Sequence, residues 1–315
     1  MTNQLEEKIK ESKQIILDNY SKDDNACFLF SCGKDSVIVD NLLKELKVRD
    51  FIYQYYIATG FETDGILDYL KSRPDVTIIG IDAEKYMKEH KCFALSSYIQ
   101  KLYKENNIIN SKFLLSCCSY KRQATTKVLK KYDIFFTGVR KDDQYNTKYW
   151  VKSAITIKKE NKKIISPIFN WTNEDCYEYI KENNIKLNKD YDTLGFTRSC
   201  LICPIQYNTT ENLEKIKQYY PKLYDRHMNL IKYLYDNRRD LQELFGSLEE
   251  FKKAFLNKDY YYEKVKDYLE KYSSNNILKD LNKIKEKEII ERTILRYALL
   301  SNPKTGAVLA SPDVD

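Results

Sequence analysis

Phe28-Leu29-Phe30-Ser31-Cys32-Gly33-Lys34-Asp35-Ser36 reads as a buried strand that enters a tight turn and leaves it as a helix. A glycine at such a turn lets backbone amides approach an anion, and the helix that follows points its positive end at the same place. Two serine hydroxyls, the Lys34 ammonium and the Asp35 carboxylate, a hard oxygen donor suited to Mg²⁺, complete a cradle for a polyphosphate. The spacing is not that of a Walker A loop, because G-x-x-x-x-G-K-(S/T) is absent.

Outward from this turn, the first half of the chain alternates short apolar strands with helix-compatible stretches. Strands are expected at Ala26–Phe30, Phe51–Ala58, Val76–Ile81 and Asp133–Val139, and helices at Ser36–Leu46, Thr63–Lys71 and after Cys118. This alternation predicts an α/β fold with a parallel sheet wrapped by helices. Trp150–Lys158 and Lys162–Ile168 fit a β-ribbon turning at Glu160-Asn161, and Leu5, Ile9 and Ile16 mark an N-terminal amphipathic helix. Beyond Pro204, Glu211–Arg239 and Ser247–Leu300 are rich in Leu, Ile, Tyr, Lys and Glu, with Ile277, Leu281 and Ile284 forming an apolar stripe. The expected organisation is a nucleotide-binding α/β domain over residues 1–204 and a C-terminal helical module over residues 205–315, ending in a loose tail from Ser301.

Composition narrows the class. Hydrophobic residues make up 43% of the 315 positions and aromatics 13%, which excludes a disordered chain. No apolar run reaches the roughly 18–20 residues of a membrane span, so no membrane partner is expected. Eight cysteines without a secretion signal point to a reducing, cytoplasmic location, where clustered thiols serve metal binding or catalysis more often than disulfides. The net charge is +7, but Lys121–Lys163 alone carries 13 basic against 4 acidic residues. That stretch is either a solvated basic face or a surface for a polyanion such as DNA or another nucleic acid. His90 and His227, the two histidines, lie in no motif and receive no role.

Four cysteines form a second constellation. Cys117 and Cys118 are adjacent, and Cys200 and Cys203 form a C-x-x-C that begins 82 positions past Cys118. Four thiolates can hold Zn²⁺ or an iron–sulfur cluster. Neighbouring cysteines strain to place both sulfurs on one tetrahedral ion, whereas a cubane offers separate iron corners, so a [4Fe–4S] cluster is favoured, with Zn²⁺ and unligated thiols as alternatives. Cys27, Cys92 and Cys176 have no partner at ligand spacing. Cys32 lies inside the turn, where a helix end and Lys34 would lower its pKa; packing is the favoured role there.

Ser-x-Gly-Lys-Asp-Ser after the first strand resembles the PP-loop of the ATP pyrophosphatase and phosphoadenylyl-sulfate (PAPS) reductase superfamily. Thr59-Gly60-Phe61-Glu62-Thr63 is similar to the family's D-T-G-x-x-x-x-E segment, with Ala58 in place of the aspartate. Thr137-Gly138-Val139-Arg140-Lys141-Asp142-Asp143 resembles G-x-R-x-x-(D/E)-S, and Pro167–Asp175 running into Tyr177-Glu178-Tyr179-Ile180 resembles P-x-x-x-W-T-x-x-D-V-W-x-Y-I, where Thr172 caps a helix and Trp171 packs. The resemblance implies an adenine nucleotide alpha hydrolase-like fold. It also implies an adenine nucleotide held by Ser31, Cys32, Gly33, Lys34, Asp35, Ser36, Thr59, Gly60 and Arg140, with Lys34, Asp35 and Arg140 catalytic and Asp35 on Mg²⁺.

The cysteine set is similar to that of cluster-bearing adenylylsulfate reductases and of DndC-type DNA phosphorothioation enzymes. Reductases need a mobile thiolate near the C-terminus, and no cysteine follows Cys203. The Lys-Asp-Ser form of the loop is the one that resembles ATP-cleaving members. The expectation is therefore an ATP-dependent sulfurtransferase that releases pyrophosphate while activating an acceptor, a nucleic acid as in phosphorothioation, with a cysteine desulfurase as candidate sulfur donor. Two alternatives stand beside it: an adenylylsulfate/PAPS reductase or other sulfate-assimilation enzyme, and a non-catalytic nucleotide-binding metalloprotein subunit.

Overall fold

The computed structural model describes residues 2–90, 117–143, 151–158, 162–197, 210–256, 260 and 263–264. It divides into two compact units that interleave along the chain: residues 1–58, 62–80 and 124–199 form the first, and residues 59–61, 81–123 and 200–315 the second.

The first unit is built on a six-stranded sheet. Its strands are β1 (Ala26–Leu29), β2 (Tyr53–Ala58), β3 (Val76–Gly80), β4 (Ile134–Phe136), β5 (Ile155–Ile157) and β6 (Lys163–Ile165). They lie in the order β3-β2-β1-β4-β6-β5, all parallel except the β5–β6 pair. The parallel α/β class read from the sequence is the one observed. The β5–β6 ribbon forms within the two expected runs, in three-residue strands, with Ile155 opposite Ile165 and the Lys158 amide donating to the Lys162 carbonyl at 2.8 Å; the expected turn at Glu160-Asn161 lies outside the described residues.

Helix α1 (Asn3–Asn19) buries Leu5 and Ile16 in the core of this unit, together with Phe28, Phe30, Val37, Ile38, Leu42 and Phe136. Helix α2 spans Lys34–Glu45, beginning two residues before the expected Ser36 because Gly33 adopts the extended N-cap conformation. Buried Asp40 pins this helix by accepting from Arg49 Nε (2.9 Å), Gln54 Nε2 (3.0 Å) and Arg73 Nη2 (3.1 Å), and Lys44 Nζ lies 2.8 Å from its other oxygen. Burial alone would raise the Asp40 pKa, but these donors outweigh it and hold the carboxyl below its ordinary range. Phe51, read as strand, lies instead in a 3₁₀ turn at Arg49–Phe51. Helix α3 spans Asp64–Lys71 and is capped by Thr63.

The helices that follow in the chain are α4 (Ala83–His90), α5 (Cys117–Leu129), α6 (Asn173–Glu182), the single turn α7 (Asp190–Thr193), α8 (Thr210–Tyr219), α9 (Pro221–Asp236), α10 (Arg239–Phe245) and α11 (Leu248–Leu256). Of these, α6 and α7 belong to the first unit, while α4 and α8 to α11 belong to the second. Leu230, Ile231, Leu234, Phe245 and Phe251 pack with Phe61 and Met87 as the core of the second unit, and the described C-terminal residues are helical as read. The stripe at Ile277, Leu281 and Ile284 and the tail from Ser301 lie outside the described residues. Among the described residues, no helix is long and apolar enough to cross a membrane.

Candidate nucleotide site

In an open parallel sheet, ligands gather beyond the carboxyl ends of the strands where the strand order reverses. Here that point lies between β1 and β4, which are parallel neighbours at the centre of the first unit. The turn Ser31–Ser36 leaves β1, and the Thr137–Asp143 segment leaves β4.

The turn is ordered by its own hydroxyls. Ser36 Oγ donates to the Gly33 carbonyl (2.7 Å), Ser31 Oγ donates to Ser36 Oγ (3.1 Å), and the Gly33 amide donates to Ser31 Oγ (3.3 Å). Gly33, the N-cap of α2, makes no side-chain cap, so the first turn of the helix keeps its partial positive charge. Lys34 Nζ lies 3.0 and 3.1 Å from the two Asp35 oxygens. Arg140 Nε lies 3.2 Å from Asp35 Oδ1, and Arg140 is buried, 7% exposed. That Nε makes no aligned hydrogen bond, so a buried donor is held beside the carboxylate with hydrogen-bonding capacity in reserve.

Arg140 is fixed from its own backbone. Its amide donates to Asp143 Oδ2 (2.9 Å), and the Asp143 amide returns to the Arg140 carbonyl (3.0 Å). Burial pushes the Asp143 carboxyl above its usual range. The Lys141 amide donates to the Phe169 carbonyl (2.7 Å), which ties this segment to the Pro167–Asp175 element. There Thr172 and Asp175 form the expected capping box of α6, and Trp171, buried, donates from Nε1 to Ser12 Oγ at 3.0 Å, a packing role as read. Gly138 makes a close backbone approach. A Cβ built on it would lie 2.7 Å from the Asp35 carbonyl carbon and 2.9 Å from Ser36 N, so the backbones of the two segments touch.

Cys32 sits at φ +60° and is fully buried. Burial pushes its thiol up to about 12, the opposite of the depression that a helix end and Lys34 would produce. At pH 8 the thiolate fraction is therefore on the order of one part in ten thousand. Iodoacetamide at that pH is expected to leave Cys32 unmodified in the folded protein and to modify it fully in urea, as read by peptide mass spectrometry; labelling of the folded chain at the rate of a free thiol would contradict the packing role.

Several supporting residues carried no signal in the sequence. Asn188 Nδ2 donates to the Cys32 carbonyl (2.7 Å), and the Lys34 amide donates to Tyr191 Oη (2.7 Å). Buried Asp190 accepts from Thr63 Oγ1 at 2.6 Å and donates its amide to Asn188 Oδ1. The Thr63–Asp190 and Lys34–Tyr191 partners stand 127 and 157 positions apart in the chain, beyond the reach of local pattern.

The structure thus gathers Ser31, Cys32, Gly33, Lys34, Asp35, Ser36 and Arg140 in one unit. Thr59 and Gly60 belong to the second unit. There Gly60 has φ +83°, its carbonyl accepts from Arg226 Nη1, and the Arg226 guanidinium stacks 4.4 Å from the Phe61 ring centre and pairs with Glu84. Cys117 and Cys118 open helix α5, with only their backbone described, and Cys200 and Cys203 lie outside the described residues. Among the described residues, no cluster of three His, Cys, Asp or Glu side chains is placed to hold a metal ion. Part of the basic stretch has a structural use: Lys162 Nζ reaches the carbonyls of Leu129 (3.3 Å), Lys130 (3.4 Å) and Tyr132 (2.8 Å) at the end of α5, and Lys163 Nζ reaches Asn19 O (3.1 Å) at the end of α1. Cations at helix C-termini offset the exposed carbonyls there.

Residues 25–205 match the family model of the phosphoadenosine phosphosulfate reductase domain, and the chain belongs to that family. It is 28% identical over 247 residues to an uncharacterized protein of Methanocaldococcus jannaschii; the match covers 73% of this chain and spans about half, 55%, of that relative's length. Among solved structures, the phosphoadenylyl-sulfate reductase of Candida auris in a phosphate complex is 15% identical, with 63% of this chain and 94% of that chain covered at a TM-score of 0.36. The NH3-dependent NAD synthetase of Campylobacter jejuni is 16% identical, with 76% and 97% covered at a TM-score of 0.37.

Proposed function

We propose that this chain is an ATP pyrophosphatase that activates an acceptor oxygen as its adenylate and passes it to a sulfur nucleophile. One observation carries the reading: a lysine and a buried arginine converge within 3.2 Å on the Asp35 carboxylate in the first turn of α2. Two cations and the helix end match the charge that grows on a departing pyrophosphate. The Asp35 carboxylate has the donor chemistry for Mg²⁺, which when bound would neutralise phosphate oxygens as a Lewis acid.

The step is a displacement at the α-phosphorus. The acceptor oxygen forms a bond to it, the α–β bridging bond breaks, and pyrophosphate leaves with the electron pair. Lys34 and Arg140 hold the leaving group. A sulfur nucleophile then attacks the acceptor, and AMP departs with the activated oxygen. The nucleic-acid acceptor rests on the Lys121–Lys163 excess, from which Lys162 and Lys163 are partly withdrawn as helix caps. The sulfur chemistry, with its cysteine desulfurase donor, rests on the Cys117, Cys118, Cys200 and Cys203 pattern.

Purified protein supplied with labelled ATP, Mg²⁺ and candidate acceptors, including DNA with a sulfide source, is expected to yield AMP and pyrophosphate. ADP and orthophosphate as the products would overturn this reading, as would no turnover with any acceptor.

A further inference from the structure

The Lys34 amide sits at the first position of α2, where it would be one of the backbone donors for a phosphate. It already has a short partner. Tyr191 Oη accepts from it at 2.7 Å, while Gly33 N–H makes only the longer 3.3 Å contact to Ser31 Oγ. Tyr191 comes from the one-turn helix α7, and a Cβ on Gly33 would lie 3.9 Å from its hydroxyl, so the phenol stands against the Gly33–Lys34 peptide. One N–H proton cannot make two short, aligned bonds at once.

We propose that Tyr191 is a gate on the phosphate cradle, its phenol oxygen occupying the Lys34 amide until a polyphosphate oxygen replaces it. This rests on the reading of the turn as a phosphate site and adds to it a residue that sets how much anion contact a ligand must supply to enter. Displacement asks the phenol to move while the segment that carries it stays anchored. At its base, the Asn188 bond to the Cys32 carbonyl and the Asp190 bond to Thr63 hold the chain in place. Asn188 Nδ2 also reaches Thr197 Oγ1 (3.2 Å), so both ends of the segment are held and the phenol is the part free to move. Helix α7 is a single turn without a side-chain cap, and Tyr191 itself is only half-buried. Buried Leu194 anchors the far end of the turn, where its amide and that of Gly195 both donate to the Asp190 carbonyl (2.7 and 3.1 Å).

Calorimetric titration of sodium pyrophosphate, without Mg²⁺, into the full chain and into Tyr191→Phe tests this. Phenylalanine cannot accept from the Lys34 amide, so the variant is expected to bind pyrophosphate about two- to tenfold more tightly, the net worth of one released hydrogen bond. Unchanged or weaker binding in the variant, with the wild type binding, overturns the gate and leaves the phosphate site standing. Absence of binding in both chains overturns the site and the gate together. Hydrogen exchange on the wild type needs no variant: pyrophosphate should speed exchange in residues 188–197 while slowing it at the start of α2, and protection of both segments would contradict displacement of the phenol.

Discussion

Asp35→Ala is expected to lower ATP-dependent pyrophosphate release at least about a hundredfold while leaving Mg²⁺-free pyrophosphate binding intact or several-fold tighter. The two effects have opposite signs because the carboxylate does two things. It lies 3.0 Å from Lys34 Nζ and 3.2 Å from Arg140 Nε, where it neutralises both cations and repels a bare phosphate; it is also the hard oxygen donor at the turn. Lys34→Met, which removes a cation instead, is expected to weaken binding and turnover together. Steady-state kinetics and calorimetry on both variants, with circular dichroism to show folding, separate these outcomes. Full turnover in a folded Asp35→Ala protein would remove the turn from the chemistry.

The contrast between these residues and their supports shows what a sequence can disclose. The turn was legible because its parts are contiguous: a strand, a glycine, a lysine, an aspartate and a helix start within nine positions. The capping box at Thr172 was legible for the same reason, since Thr172 and Asp175 are three residues apart. The β5–β6 ribbon followed from two apolar runs close in the chain.

Residues that hold the turn from a distance were not legible. Tyr191 and Asn188 meet it only because the segment after α6 returns to the carboxyl ends of the strands, and nothing in their neighbours marks that return. Lys162 and Lys163 counted toward a basic surface, yet both spend their ammonium groups on helix-end carbonyls. A charge count along the chain cannot separate a cation that caps a helix from one that faces solvent. The compact units add a similar lesson. Thr59-Gly60-Phe61 follows directly on β2 in the chain, but Phe61 packs with Leu230, Ile231 and Phe251, a contact across some 170 positions that no local pattern marks.

Gly138→Ala is expected to destabilise the protein by about 2–3 kcal/mol and to cost at least about tenfold in pyrophosphate affinity. The added methyl would meet the Asp35 carbonyl carbon at 2.7 Å, its oxygen at 2.9 Å and Ser36 N at 2.9 Å. All three are backbone atoms in the first turn of α2, and that helix is pinned at its middle by Asp40, so no flexible side chain can yield in their place. Relief must come from moving the β4 segment away, which carries Arg140 with it and opens the distance to Asp35. The loss in affinity therefore accompanies the loss in stability, whereas an overpacked site elsewhere in the core would lower stability alone. Urea denaturation and pyrophosphate titration on the same sample measure both quantities, and a variant that loses stability but binds with wild-type affinity would show that the contact between the two segments does not position Arg140.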